Sequence, residues 1–163
     1  MMLRIAGAVL AVGLCVTGCG ATPMDGGSVR RLTDQGVDPD LIYRLDLPGF
    51  TAMEHSAEPT GDGGFRMTYV SDSDPAVRAE FRAHPTEFTE ELCTSTPIPH
   101  SDGTLPTECP SDKGWHRSSG GFHEYILMVR HGHIRLSAPL GVLESMPSYL
   151  GDLDHRWGPA SQP

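Results

Sequence analysis

The chain has 163 residues, with 12 Lys and Arg against 21 Asp and Glu and a formal net charge of −9. That acidic balance excludes a basic footprint for nucleic acid and a polybasic contact with anionic lipid heads. The length is that of one ordinary domain with short appendages.

The first element is an apolar run. Arg4 precedes an uncharged stretch from Ile5 to Val16, shorter than the roughly 20 residues that a membrane-spanning helix needs. A cation, a short apolar run and small residues after it describe an export signal. The run ends in Val16-Thr17-Gly18-Cys19, which resembles the lipobox of bacterial lipoproteins: an aliphatic residue, two small ones, then cysteine. The resemblance implies that residues 1–18 are a signal peptide, that Cys19 becomes the first residue, and that its thiol carries a diacylglyceryl group. Cys15 does not fit the pattern, because Leu14 is too large. Two acyl chains anchor stably where one does not. The expected location is therefore the cell membrane, on its extracytoplasmic face, with the membrane itself as partner through Cys19.

Residues 19–37 are rich in Gly, Thr, Ser and Asp and read as a flexible tether. The domain is expected over residues 38–163. Leu41, Tyr43, Leu45 and Leu47 alternate with Ile42, Arg44 and Asp46, which predicts a strand ended by Pro48-Gly49. Residues 50–57 form a weaker strand candidate, and Pro59 to Gly64 a turn. Phe65, Met67 and Tyr69 again share one face of a strand. Three strands in succession read as an antiparallel meander.

A helix is expected after Ser73. Asp74 is placed to cap it, Pro75 fits the first helical position, and Val77 and Phe81 stand four apart. His84-Pro85 interrupts it. Pro85 can open a second short helix with Phe88 and Leu92 on its buried side. Cys93 and Cys109 enclose a proline-rich loop with no apolar periodicity. Beyond the cytoplasm such a pair is expected to form a disulfide, and it lacks the C-x-x-C spacing of a metal or redox pair. Strand returns at Phe122. After Pro139, Leu140, Leu143, Met146 and Leu150 can line one side of a helix, but Gly141, Pro147 and Gly151 oppose a long one. The fold expected is α+β: an antiparallel sheet of about five strands, one or two short helices on one face, and one disulfide.

His131-Gly132-His133 is the most chemical-looking triplet. In one continuous strand the two histidines would share a face and a metal ion. In a hairpin turning at His131-Gly132, Val129 pairs with Ile134 and Leu127 with Leu136 on an apolar face. Arg130, His133, Met128 and Arg135 then make up the other face. The hairpin accounts better for the pattern and for strand length, so no metal is assigned. The other histidines, at 55, 84, 100, 116, 123 and 155, lack H-x-x-x-H spacing. The pairs Asp72/Asp74 and Asp152/Asp154 lack the remaining oxygen ligands of a calcium loop. G-x-S-x-G and S-x-x-K are absent, Gly61-Asp62-Gly63-Gly64 reads as a turn, and Trp115 and Trp157 read as covers for core edges. No catalytic residue and no cofactor are assigned.

The segments Y-R-L-D-L-P-G and F-R-M-T-Y-V-S-D-S-D-P-A-V-R-A-E-F resemble a set of small actinobacterial secreted proteins. Abundant arginine, a single lysine and no asparagine agree with a GC-rich source. That set implies no activity for particular residues. The expectation is a lipid-anchored, non-enzymatic binding or accessory domain with an envelope protein partner. The alternative is an envelope hydrolase whose His/Asp site is assembled from separate segments; a cleft holding a histidine and a carboxylate in hydrogen-bond reach would favour it. The domain is small for a two-lobed solute-binding lipoprotein.

Overall fold

The structure is a computed structural model and describes residues 21–22, 24–106, 109 and 115–142. Cys19, the signal over 1–18, Asp152/Asp154, His155 and Trp157 lie outside the described residues.

In chain order the elements are β1 (Ala21–Thr22), α1 (Gly26–Asp34), β2 (Arg44–Leu45), β3 (Phe50–Ala52), β4 (Glu58–Pro59), β5 (Phe65–Ser71), β6 (Arg78–His84), α2 (Glu90–Ser95), β7 (Trp115–Ser119), β8 (Phe122–Val129) and β9 (Gly132–Pro139). Seven strands form one antiparallel sheet in the order β3-β5-β6-β9-β8-β7, with β4 also paired to β5. β1 and β2 pair separately. The fold is α+β and mostly sheet, with two α-helices and the disulfide Cys93–Cys109 among the described residues.

One face of the sheet is apolar because period-2 strands present alternate residues to it. Phe65, Met67 and Tyr69 of β5, Phe81 of β6, and Ile134 and Leu136 of β9 are all buried there. The segment from Met24 to Leu47 covers them, contributing Leu32, Val37, Leu41 and Leu45 to the same core. The Tyr69 hydroxyl pins that cover: it accepts from Leu45 N at 2.8 Å and donates to Leu45 O at 3.0 Å.

Residues 24–37 are not a tether. Asp25 caps α1 by accepting from Gly27 N and Ser28 N at 2.9 and 3.0 Å. Gly36, at φ 86°, ends the helix, with Gly36 N bonded to Thr33 O and Val37 N to Leu32 O. This six-to-one and five-to-two pairing brings Leu32 and Val37 together in the core. The ordered domain therefore reaches at least to Ala21.

Nor is there a helix after Ser73. The Asp74 carboxylate accepts from Ala76 N, and Val77 N bonds Asp74 O, both at 2.9 Å. Asp74 thus caps a tight turn. Beyond it, Ala79, Phe81 and Ala83 are buried, and β6 is hydrogen-bonded on both sides, to β5 and β9. Ladder pairing and period-2 burial outweigh the weak i, i+4 pair of Val77 and Phe81. The stretch from Leu41 to Leu47 is also less regular than expected: a 3-10 turn at Pro39–Leu41 leads into the two residues of β2, although Leu41, Tyr43, Leu45 and Leu47 are all buried.

The second face carries a smaller cluster of Phe88, Cys93 and Ile126, flanked by Cys109 and Trp115. α2 begins at Glu90, with Thr89 as its cap, rather than at Pro85. Phe88 is buried as expected, but Leu92 is exposed. The disulfide closes a 16-residue separation; a loop of this size gains about 3 kcal/mol in the chain-entropy model.

Candidate functional site

The second face is polar because the residues alternating with the core positions are charged. Thr68, Glu80, Ser137, Glu124 and Arg117 are direct cross-strand partners in one row across five strands. The next row runs Arg66, Arg82, Arg135, Ile126 and Trp115. The segment from Phe88 to the disulfide covers one end of these rows and leaves the other end open.

At the covered end, Glu124 is fully buried between two arginines. Arg117 Nε donates to its Oε2 at 2.7 Å, and Arg135 Nε to its Oε1 at 2.8 Å. Arg117 Nη1 also donates to the carbonyls of Cys93 and Thr96, and both guanidinium groups approach the face of Phe88. Burial pulls the Arg117 guanidinium below its ordinary value, and Glu124 opposes that pull. This cluster ties α2 to the sheet, and its charged side chains are almost wholly buried.

Beside it lies a histidine pair. His84 and His133 are cross-strand partners with rings stacked at 4.8 Å. Asp62 holds His84 Nδ1 at 2.7 Å, and His133 Nδ1 lies 2.6 Å from Thr86 O. Burial pushes His133 down to about 4, with the Thr86 carbonyl opposing. Burial would raise Asp62, but hydrogen bonds from Thr60, His84 and Gly64 N outweigh it and hold the carboxyl at about 2.

At the open end is a cavity of about 330 Å³. Its floor is β5 and β6, with Thr68, Arg78, Ala79 and Glu80. Phe122 and Pro139 form one wall, Ala76 another, and His100 stands over it from the disulfide loop. The Glu80 side chain is 9 % exposed and its two oxygens are engaged, one by Arg82 Nε and the other by His100 Nε2 at 3.1 Å. The His100 side chain is 62 % exposed. His100 is also the non-glycine residue with positive φ, 65°, among those described, a conformation that costs of order 1 kcal/mol and that histidine enters more readily than most. Ile98, fully buried just before it, anchors the loop. Arg78 is exposed and makes no ion pair among the described residues.

The cavity thus brings together a satisfied buried carboxylate, an imidazole oriented by it, a guanidinium with no ion pair among the described residues, and apolar walls.

The His-Gly-His triplet lies at a hairpin, and its two histidines have different surroundings. The hairpin is present, but Val129 faces Gly132, so its two turn residues are Arg130 and His131 rather than His131 and Gly132. The pairs become Leu127–Ile134 and Met128–His133, which leaves the two faces as predicted. His131 stands at the tip, 3.6 Å from Asp40, while His133 lies in the covered histidine pair. Among the described residues no group of three or more His, Cys, Asp or Glu is placed to hold a metal ion, and no helix is long and apolar enough to cross a membrane. Asp72 accepts from Thr51 Oγ1 and Asp74 caps its turn. Trp115 packs edge-on against Phe88 at 5.8 Å.

Glu80, Arg78 and His100 were not singled out by sequence reasoning. R-A-E-F-R-A-H alternates strictly, and as a strand it puts Arg78, Glu80, Arg82 and His84 on one face. Nothing local to His100 marks it. No protein-family model matches the chain, and neither a curated protein nor a solved structure is significantly similar to it.

Proposed function

We propose that the chain is a lipid-anchored extracytoplasmic protein whose domain recognises a small ligand or an exposed group of an envelope partner in the cavity over Glu80. The lipobox-like Val16-Thr17-Gly18-Cys19 supports the anchor. The Cys93–Cys109 disulfide supports an oxidising location outside the cytoplasm. The observation that carries the recognition reading is the cavity itself, a concave site with an apolar wall and a few convergent polar groups on a rigid sheet. Replacing Cys19 with serine and fractionating cells tests the anchor. The protein is expected to move from the membrane to the soluble fraction; retention in the membrane sinks the anchored reading.

A second reading, an envelope hydrolase, is favoured by one contact: Glu80 and His100 form a carboxylate–imidazole pair in a cleft. The carboxylate orients the ring as a general base requires. Hydrolysis further requires a nucleophile or held water beside that ring and donors for the developing oxyanion. A panel of ester, amide and glycoside substrates tests it. Turnover that disappears in His100→Ala would replace the binding reading with this one.

A further inference from the structure

We infer that the cavity over Glu80 takes a singly charged carboxylate carried on a small apolar body, such as an aryl or alkyl carboxylate or the free C-terminus of a peptide. This rests on the reading of the cavity as the binding site and adds the class of ligand.

Charge gives the sign. Among the described residues Arg78 is an exposed guanidinium without an ion pair at the cavity floor. Glu80 is already matched by Arg82 and His100, one on each of its oxygens, so its charge is offset before any ligand arrives. Arg78, Arg82 and Glu80 together leave one formal positive charge. A singly charged anion matches it, whereas a phosphate dianion would stand over the buried Glu80 carboxylate with excess charge of the same sign.

Geometry gives the shape. A guanidinium presents parallel N–H donors that suit a planar carboxylate. His100 Nε2 is occupied by Glu80, which fixes the ring and leaves Nδ1 without a partner among the described residues. The positive φ of His100 is the kind of local strain that persists where a side chain must be held in one place. Phe122 and Pro139 on one side and Ala76 on another supply the apolar lining. A volume of about 330 Å³ stands at the small end of ligand sites and suits a body of one ring or a short alkyl chain.

The test uses the full chain in a non-ionic detergent, with calorimetry and amide chemical shifts as readouts. The probes are phenylacetate, its neutral amide, phenethylamine, and N-acetyl-Ala-Phe as the free acid. Phenylacetate or the peptide acid is expected to bind and to shift Thr68, Arg78, His100 and Phe122; which acid binds more tightly separates the free carboxylate from the chain terminus. Arg78→Gln is expected to weaken binding about tenfold or more, and Arg78→Lys less, since it keeps charge but not the fork. His100→Gly removes the ring without adding backbone strain and is expected to weaken binding by a smaller factor. Melting curves of each variant confirm that it folds. Equal binding of the acid and the amide, preference for the amine, or an unchanged Kd in folded Arg78→Gln overturns the ligand class while leaving the cavity as a binding site. No shift at the cavity with any probe overturns both.

Discussion

Arg117 and Glu124 form an ion pair in which neither side chain has any exposure, and they come from adjacent strands at the same level of the sheet. Arg135 closes on Glu124 from the other side. Removing one member of such a cluster leaves uncompensated charge away from water. Glu124→Gln leaves two buried guanidinium groups sharing a neutral amide, and is expected to cost about 3 to 5 kcal/mol. Arg117→Lys should also be costly, because one ammonium cannot reproduce the contacts to Glu124, Cys93 O and Thr96 O. Urea denaturation at neutral pH checks both. A loss below about 1 kcal/mol for Glu124→Gln would mean that the cluster is not desolvated in solution.

A second prediction separates Gly132 from His131. A Cβ at Gly132 would lie 1.8 Å from His84 O, and the residue has φ 145°. Glycine is needed where β9 passes the end of β6, a backbone approach that no side chain permits. Gly132→Ala must push the strands apart as well as adopt an unfavourable φ, and is expected to cost about 3 kcal/mol or more. His131→Ala removes only an exposed 3.6 Å contact with Asp40 and is expected to stay within about 0.5 kcal/mol of the parent. Thermal melts of the two variants side by side provide the comparison; equal effects would place the requirement in the turn and not in the sheet.

Strands with one buried face were legible because burial imposes period 2. Phe65, Met67 and Tyr69 point inward as their alternation predicts, and so do Leu127 with Ile134 and Tyr125 with Leu136. β6 was misread because Asp74-Pro75 is equally a helix opening and a turn, and only its neighbours on both sides decide between them. α1 was missed because G-G-S-V-R-R-L-T-D has just two apolar residues; its signal lies in the caps, Asp25 before it and Gly36 after it. β7 was missed because W-H-R-S-S buries an arginine where a core side chain is usually read. The cavity had no sequence signature of its own. Glu80 and His100 are 20 residues apart, and what joins them is the disulfide loop folding back across the sheet. The disulfide itself was legible from the expected compartment and the loop composition, but not the side chain that it would deliver over Glu80.

The last prediction concerns acid stability and rests on His133. Its ring is buried between His84 of β6, Phe88 ahead of α2, and Arg135 of its own strand, with Asp62 beyond His84. Burial pushes its pKa from 6.5 to about 4. In the unfolded chain the ring takes up its proton near pH 6.5, while in the folded protein it stays neutral until about pH 4. Between those values the unfolded state binds more protons, so stability must fall as the pH is lowered through that window and lose nothing further from this group below it. Asp62 acts in the opposite sense and later: its depressed pKa of about 2 holds stability that is lost only between about pH 3.8 and 2. The two contributions are therefore separated on the pH axis. Allowing for partial solvation, the His133 share is about 2 kcal/mol. Urea midpoints measured from pH 7 to pH 4 should decline in the parent and decline less steeply in His133→Phe, which keeps a ring against His84 and cannot titrate. Parallel curves for the two proteins would show that His133 takes up its proton in the folded state near its ordinary pKa, and that the stacked pair is open to water.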